Sequence, residues 1–177
     1  MMVGLPVLVI VGSLACGVVP AGAGEISYAQ GIATYAGTFG RPCHTRDVRV
    51  SGAVATPPTI DIPRYCSAPL ALLTRDLAKG IGPAAMAGSS VTVNYVLVTW
   101  SDGRVADSSW PDKPFVVDHL GGGEVIAGWD QGLVGVRPGT RRLLVIPPEL
   151  AYGSKGVPPV VKPNETLVFV VDVIAVS

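Results

Sequence analysis

Charged side chains are scarce in this sequence, and no stretch of it is strongly basic or strongly acidic. Asp, Glu, Lys and Arg together make up 15% of the 177 residues, and the formal net charge is +0. Without a dense Lys/Arg cluster, the chain lacks the electrostatic surface that binds phosphate backbones or anionic lipids. The composition therefore argues against nucleic-acid binding and against a polybasic membrane patch.

Residues that commonly bind metals or act as nucleophiles are also few. The chain has two histidines and three cysteines, and neither histidine lies in a recognisable nucleophile motif. The triple glycine at 121–123 does not connect a strand to a long helix, as a phosphate-binding loop would. A chain of this length can bury an adequate core without a metal. The sequence therefore predicts neither a metal nor a cofactor.

The first 24 residues differ in character from the rest. Residues 5–19 are almost entirely apolar, and the small residues at 20–24 suit a signal-peptidase site. We therefore predict that residues 1–24 are an export signal and that the protein is secreted or held in the cell envelope. Ser13-Leu-Ala-Cys16 resembles a bacterial lipobox, so lipid attachment at Cys16 is one alternative to simple cleavage. An uncleaved apolar anchor is the other.

Export would leave Cys43 and Cys66 as an even pair in an oxidising compartment, where such pairs usually form disulfides. We predict this bridge, and we expect it to pin an N-terminal extension, residues 25–69, to the domain. In the chain-entropy model a loop of that length contributes roughly 3 to 3.5 kcal/mol. Two free buried thiols, or a metal site with His44 and His119, are the alternatives. The absence of a regular Cys or His spacing disfavours the metal site.

Residues 70–177 carry the pattern of one antiparallel β domain. Alternation within 91–98 predicts a strand whose core face carries Val91, Val93, Tyr95 and Leu97. Further strands are predicted at 142–146 and 166–176, and the last is apolar on both faces, which is typical of a central strand. Only one helix is indicated. The predicted fold class is therefore α+β, an antiparallel sheet wrapped around one short α-helix.

That helix lies within 125–133, where a tryptophan stands between two glycines. Three apolar residues share one helix face at i, i+3 and i+7: Ile126, Trp129 and Leu133. Gly128 and Gly132 would let neighbouring strands approach the helix closely. The arrangement predicts the floor of a pocket, with ordinary core packing as the alternative.

Several separated motifs occur in a characteristic order along residues 70–176. They are Asp107-Ser-Ser, Lys113-Pro-Phe115, the tryptophan helix, Ala151-Tyr-Gly153 and Thr166-Leu-Val-Phe-Val170. In this order they resemble the FKBP-type peptidyl-prolyl cis-trans isomerases, and the cysteine-bearing extension is similar to that of exported bacterial members. The resemblance implies an FKBP-like fold and isomerisation of Xaa-Pro bonds. It also implies proline-containing polypeptides as partners and macrolide immunosuppressants as ligands.

The resemblance further implies a role for each residue of the site. Trp129 would form the floor, with Asp107 at the pocket edge and the Tyr152 hydroxyl and the Ile126 backbone N–H as hydrogen-bond donors. Substrate contacts would come from Tyr95, Phe115, Val125, Val160, Val161 and Phe169. Ordinary core packing, and for Asp107 a turn-capping acid, are the alternative readings.

The chain departs from the family pattern before the Asp-Ser-Ser motif. Ala106 stands where an aromatic residue is usual, and we consider Trp110 as a replacement for that missing wall. A smaller wall favours a second hypothesis, a binding module or chaperone on the same fold that holds proline-containing chains with little turnover. The extension contains no long amphipathic helix of the kind that joins two subunits, so we predict a monomer.

Overall fold

The computed structural model describes residues 40–177. The predicted export signal at 1–24, the lipid-attachment alternative at Cys16 and residues 25–39 of the predicted extension lie outside the described residues. Within the described part, no helix combines the length and apolar character needed to cross a bilayer. The boundary between extension and domain at residues 69 and 70 stays a prediction.

The chain alternates short and long strands with a single short α-helix. In chain order the elements are β1 Arg49–Ser51, β2 Thr59–Asp61, β3 Leu73–Ala78, β4 Val91–Thr99, β5 Val105–Ser108, β6 Phe115–Val117, α1 Ala127–Gly132, β7 Arg141–Ile146, a 3-10 turn Pro148–Leu150 and β8 Leu167–Val176.

Six of these strands form one antiparallel sheet in the order β3-β7-β8-β4-β5, with β6 also paired to β4. β8 lies between β7 and β4, and seven consecutive residues of it, 167–173, are buried. This central position confirms the interpretation of its two apolar faces. The α+β fold predicted from the sequence is confirmed.

The main sheet buries a separate core on each face, because alternate residues of a strand point to opposite sides. The helix-side core includes Val91, Val93 and Leu97 of β4 and packs against Trp129. The extension-side core includes Val96 and Val98 of the same strand. The alternation predicted for this strand is therefore confirmed, and Tyr95 lies on the helix side.

Two glycines allow α1 to lie directly on β7. A Cβ placed on Gly132 would come within 2.8 Å of Leu144 Cδ2, and a Cβ on Gly128 would overlap the Ile146 side chain. Both strand residues are fully buried, so they have no room to move aside. The close approach expected from the glycine spacing is present, and it brings Trp129 onto the sheet.

The extension forms a small sheet of its own, in which β1 pairs with β2 antiparallel. We expected one or two edge strands here because of the surrounding prolines. Among the described residues the two strands pair only with each other, so both are edge strands, and Val48 and Ile60 are buried in the extension-side core. Burial of these side chains, rather than backbone pairing with the main sheet, attaches the extension.

A disulfide between Cys43 and Cys66 closes the base of the extension, and both cysteines are buried. The Cα atoms are 5.2 Å apart, within the usual range for a bridge. The predicted pairing is confirmed. The two alternatives, free thiols and a metal site that includes these two sulfurs, are therefore wrong. Backbone hydrogen bonds between Cys43 and Ser67, and between Ser67 and Arg41, hold the same two segments together.

A buried ion pair joins the extension to the sheet. Arg141 on β7 and Asp172 on β8 form a two-pronged pair, with 2.7 Å between Arg141 Nη2 and Asp172 Oδ2. The guanidinium also donates to the carbonyl oxygens of Gly52 and Thr56, and Asp172 accepts the Ala55 N–H. Both members of the pair thus also bond the backbone of the loop between β1 and β2.

Candidate functional site

A cavity of about 480 Å³ opens on the helix side of the sheet. It is of the size usual for small-ligand sites. Its lining comes from four strands, the loop before α1, α1 itself and the loop after the 3-10 turn. The lining residues are Tyr95, Asp107, Phe115, Gly123, Glu124, Val125, Ile126, Trp129, Tyr152 and Phe169.

Four aromatic rings pack against one another in the lining of this cavity. The Trp129 ring lies 5.3 Å from Tyr95, 5.9 Å from Phe115 and 5.2 Å from Phe169 between centroids, each close to edge-on. These are favourable aromatic geometries. Trp129 is only 4% exposed, yet the cavity adjoins it, so the indole is both part of the core and the floor of the site.

The Asp-Ser-Ser motif positions one of these rings. The Tyr95 hydroxyl donates to Asp107 Oδ2 at 2.6 Å, the Tyr95 N–H donates to Ser109 Oγ at 2.9 Å, and Ser108 Oγ donates to the Tyr95 carbonyl at 3.2 Å. The Tyr95 carbonyl also accepts the Ser109 N–H, so the motif bonds the hydroxyl, the N–H and the carbonyl of Tyr95. Asp107 Oδ1 also accepts the Ser108 N–H at 2.8 Å, and both residues lie in β5.

The pKa of the Tyr95 hydroxyl is raised well above its ordinary value. Burial is the larger cause, and the hydrogen bond to the Asp107 carboxylate is the second. The hydroxyl therefore stays protonated at physiological pH and keeps donating to Asp107. This bond holds the carboxylate at the mouth of the cavity, with one oxygen turned to Tyr95 and the other to the Ser108 N–H.

Two hydrogen-bond donors at the cavity have no acceptor among residues 40–177. The Tyr152 side chain is half-exposed, and its hydroxyl makes no hydrogen bond there. The Ile126 N–H, at the start of α1, is likewise free, while the Ile126 carbonyl accepts the Trp129 and Asp130 N–H groups. A bound molecule with carbonyl oxygens could therefore accept from both.

Sequence reasoning missed the first part of the loop that precedes α1. Gly123 and Glu124 line the cavity, and the Asp130 carboxylate on the helix accepts the N–H groups of Gly121 and Gly123 at 2.8 and 3.0 Å. An acid directly after the tryptophan was the available signal, since short acidic side chains often bond nearby backbone N–H groups. This clamp fixes the loop that carries Glu124 and Val125.

Two of the predicted substrate contacts do not line the cavity. Val161 is 3% exposed and belongs to the helix-side core, while Val160 is exposed and its carbonyl accepts Arg104 Nη2 at 2.9 Å. Lys162 ties the same loop to the β4–β5 turn by an ion pair of 2.9 Å with Asp102. The structure thus brings eight of the ten predicted catalytic and substrate residues together at the cavity, and contact of these two valines with substrate stays a prediction.

The suggested replacement of the missing aromatic wall by Trp110 is wrong. Trp110 packs on the extension-side core, because it lies beyond the end of β5 with its ring on the opposite face of the sheet. Ala106 packs against the helix-side core and does not line the cavity. The wall beside Asp107 is therefore small.

A second cavity of about 490 Å³ lies between the extension and the β4–β5 turn. Its lining includes Asp61, Arg64 and Asp102, and Trp100 is its one aromatic residue among those described. It lacks the cluster of aromatic side chains that lines the first cavity. We therefore assign the candidate site to the first cavity, which we call the aromatic cavity.

Comparison with known proteins agrees with this geometry. A family model described as FKBP-type peptidyl-prolyl cis-trans isomerase matches residues 82–174. An FK506-binding protein of Streptomyces anulatus is 44% identical over 120 residues, which cover 67% of this chain and 96% of that protein. The 39 kDa FK506-binding nuclear protein of Drosophila melanogaster is 45% identical over 101 residues, 57% of this chain but 28% of that longer protein.

Solved structures show the same fold. The crystal structure of AtFKBP13 is 36% identical with a TM-score of 0.55, and the match covers 60% of this chain and 93% of that one. A peptidyl-prolyl cis-trans isomerase from Pseudomonas syringae is also 36% identical, with a TM-score of 0.54 and coverage of 60% and 75%.

Proposed function

The chain belongs to the FKBP-type peptidyl-prolyl cis-trans isomerase family, and from that premise we propose that it rotates Xaa-Pro peptide bonds in the aromatic cavity by desolvating them. The observation that carries this proposal is the tryptophan floor under a cavity with two free hydrogen-bond donors. Proline-containing polypeptides are the proposed substrates. FK506, which two relatives are named for binding, and macrolides like it are the proposed inhibitors.

The physical problem is the resonance of the amide, which gives its C–N bond partial double-bond character and a rotation barrier of about 18–20 kcal/mol. In the twisted transition state the nitrogen is no longer conjugated with the carbonyl, so charge separation falls. An apolar cavity therefore favours the twisted amide over the planar, well-hydrated one. Each tenfold acceleration requires about 1.4 kcal/mol of such preference.

The cavity residues suit this task without making or breaking a bond. Trp129 and Phe169 would contact the proline ring, and the Tyr152 hydroxyl and Ile126 N–H would donate to substrate carbonyls and hold them in place. Asp107 acts through Tyr95, whose ring it orients. The mechanism needs no nucleophile, metal or cofactor, since only a torsion changes.

Protease-free NMR exchange on a Leu-Pro peptide tests this proposal. The wild-type protein should accelerate cis/trans exchange, and Tyr152→Phe should slow it by about two- to tenfold, the value of one neutral hydrogen bond. Tyr65→Phe is the matched control, since Tyr65 is exposed in the extension and should leave the rate unchanged. Peptide binding without acceleration would contradict the proposal and favour a non-catalytic chaperone.

We also propose that the protein is an exported, monomeric member of the bacterial type. The apolar residues 5–19 and the Cys43–Cys66 disulfide support export, because disulfides persist in oxidising compartments. Intact mass of the protein recovered from its cells should show loss of residues 1–24 and of two hydrogens. Lipid attachment would instead give a chain that begins at Cys16 and carries the mass of the lipid. Light scattering of the purified protein should give the mass of one chain. A full-length mass with free thiols would refute export.

A further inference from the structure

Trp110 directly follows the Asp-Ser-Ser motif, yet its ring lies on the face of the sheet opposite the aromatic cavity. We propose that Trp110 is a positioning residue for this cavity, because it anchors the motif to the extension-side core and thereby fixes Tyr95. This inference rests on the proposed function of the cavity and adds a residue that acts on the site without lining it. Three observations carry it: the edge position of the motif, the burial of the indole and a hydrogen-bond relay between Trp110 and Tyr95.

The motif lies where the sheet supports it least. β5 has four residues and ends at Ser108, and among the described residues it pairs with β4 alone. Asp107 and Ser108 therefore have a neighbouring strand on one side only. Such a strand opens more readily than a central one, because fewer backbone hydrogen bonds and buried side chains hold it. An anchor outside the strand pairing would fix the motif more firmly.

The indole of Trp110 supplies an anchor of this kind. It is partly buried and packs against the extension-side core, to which the extension contributes Val48 and Ile60. An aromatic ring of this size buries a large apolar area, so displacing it is costly. The residue after the motif is therefore fixed on the extension side of the sheet, while Asp107 stays at the cavity.

A hydrogen-bond relay leads from Trp110 to Tyr95. The Trp110 N–H donates to Ser108 Oγ at 3.0 Å, and Ser108 Oγ donates to the Tyr95 carbonyl at 3.2 Å. Ser109, the residue before Trp110, donates its N–H to the same carbonyl at 3.1 Å and accepts the Tyr95 N–H at its Oγ. Ser109 is only 7% exposed, so water does not readily replace these bonds. The position of Trp110 is thus transmitted to both backbone groups of Tyr95.

Tyr95 passes this constraint on to the cavity. Its ring packs against three other aromatic rings of the lining, and its hydroxyl holds the Asp107 carboxylate. Small displacements of the groups that hold a substrate lower the rate of its reaction, even when their cause lies far from the reacting bond. A change at Trp110 should therefore alter kcat/KM.

NMR exchange on the Leu-Pro peptide tests the effect on rate. Trp110→Ala should lower kcat/KM by about three- to tenfold, the effect of weakening one or two neutral hydrogen bonds that hold Tyr95. Trp110→Phe keeps an aromatic anchor and should recover most of this loss. Trp100→Ala is the matched control, since Trp100 packs against the same core but lies outside the motif. It should leave kcat/KM of the folded protein close to that of the wild type.

Amide hydrogen exchange separates positioning from a general loss of stability. In Trp110→Ala the Tyr95 and Ser109 N–H groups should exchange faster relative to those of β7, because the bonds between these two residues weaken. In Trp100→Ala the amides of both regions should change together. Ser108→Ala breaks the relay while leaving the indole in place, and it should lower kcat/KM by at least about twofold. This variant decides the question if Trp110→Ala does not fold.

The outcomes separate this inference from the proposed function. If the wild-type protein accelerates no peptide, the proposed function fails, and amide exchange at Tyr95 still decides whether Trp110 positions it. If Trp110→Ala and Ser108→Ala both keep the wild-type kcat/KM, the positioning role is wrong while the isomerase assignment stands. An equal loss of kcat/KM in Trp100→Ala, or unchanged relative exchange at Tyr95 and Ser109 in Trp110→Ala, would also overturn the positioning role.

Discussion

Replacing Arg141 with methionine should lower the free energy of unfolding by about 3–5 kcal/mol, because it leaves the Asp172 carboxylate buried without its partner. The side chains are 3% and 8% exposed, so water cannot substitute for the lost guanidinium. The variant also loses the two bonds from Arg141 to the loop between β1 and β2. Urea unfolding measures the first effect, and amide exchange at residues 52–56 measures the second.

Two control variants separate the cost of leaving a buried charge unpaired from the cost of breaking an ion pair. Lys162→Met breaks an ion pair with Asp102 whose side chains are largely exposed, and should cost no more than about 1 kcal/mol. The double variant Arg141→Met with Asp172→Leu removes both buried charges and should be more stable than Arg141→Met alone. An Arg141→Met protein as stable as the wild type would show that the pair does not hold the extension.

Replacing Trp129 with alanine should lower kcat/KM for a Leu-Pro peptide by at least about tenfold, since water would then occupy the floor of the cavity. Truncating a buried tryptophan also lowers the free energy of unfolding, by about 3–5 kcal/mol. Activity is therefore measured under conditions in which circular dichroism shows the variant folded. Trp129→Phe, which keeps an apolar floor, should recover most of the activity.

The control for this variant is Trp100→Ala, which removes an indole from the extension-side core. It should lower stability but leave kcat/KM for the folded protein close to that of the wild type. Equal activity losses in the two variants would mean that the Trp129 effect is only loss of packing. An unchanged kcat/KM in Trp129→Ala would contradict desolvation by the tryptophan floor.

The elements of the site could be predicted because each depends on a local pattern. Alternation in 91–98 predicts which face Tyr95 occupies, and the glycines around Trp129 predict a helix that lies close to a strand. The motif order, through its resemblance to a known family, then predicted ten residues for the site, Trp129 among them. Eight of those ten do line the cavity.

Other parts of the site depend on contacts between residues far apart in the chain. Val160 and Val161 are neighbours of similar character, yet one is exposed and the other is buried in the helix-side core. Nothing local distinguishes them, because the choice is made by how the loop rests on the β4–β5 turn through Arg104 and Lys162. The wrong expectation for Trp110 has the same origin, since the face it occupies depends on where β5 ends.

Periodicity and glycine spacing were enough to predict three long strands of the main sheet and the helix with its tryptophan, because these features are encoded over a few residues. The cysteine number, taken with the export prediction, favoured the Cys43–Cys66 pair. The tertiary structure alone decided that Arg141 and Asp172 meet beneath the extension, that Asp130 clamps the loop before α1, and that Asp107 and Glu124 share one rim. Those arrangements join side chains from separate elements, and their electrostatic energy depends on distances and burial that exist only once the sheet has formed.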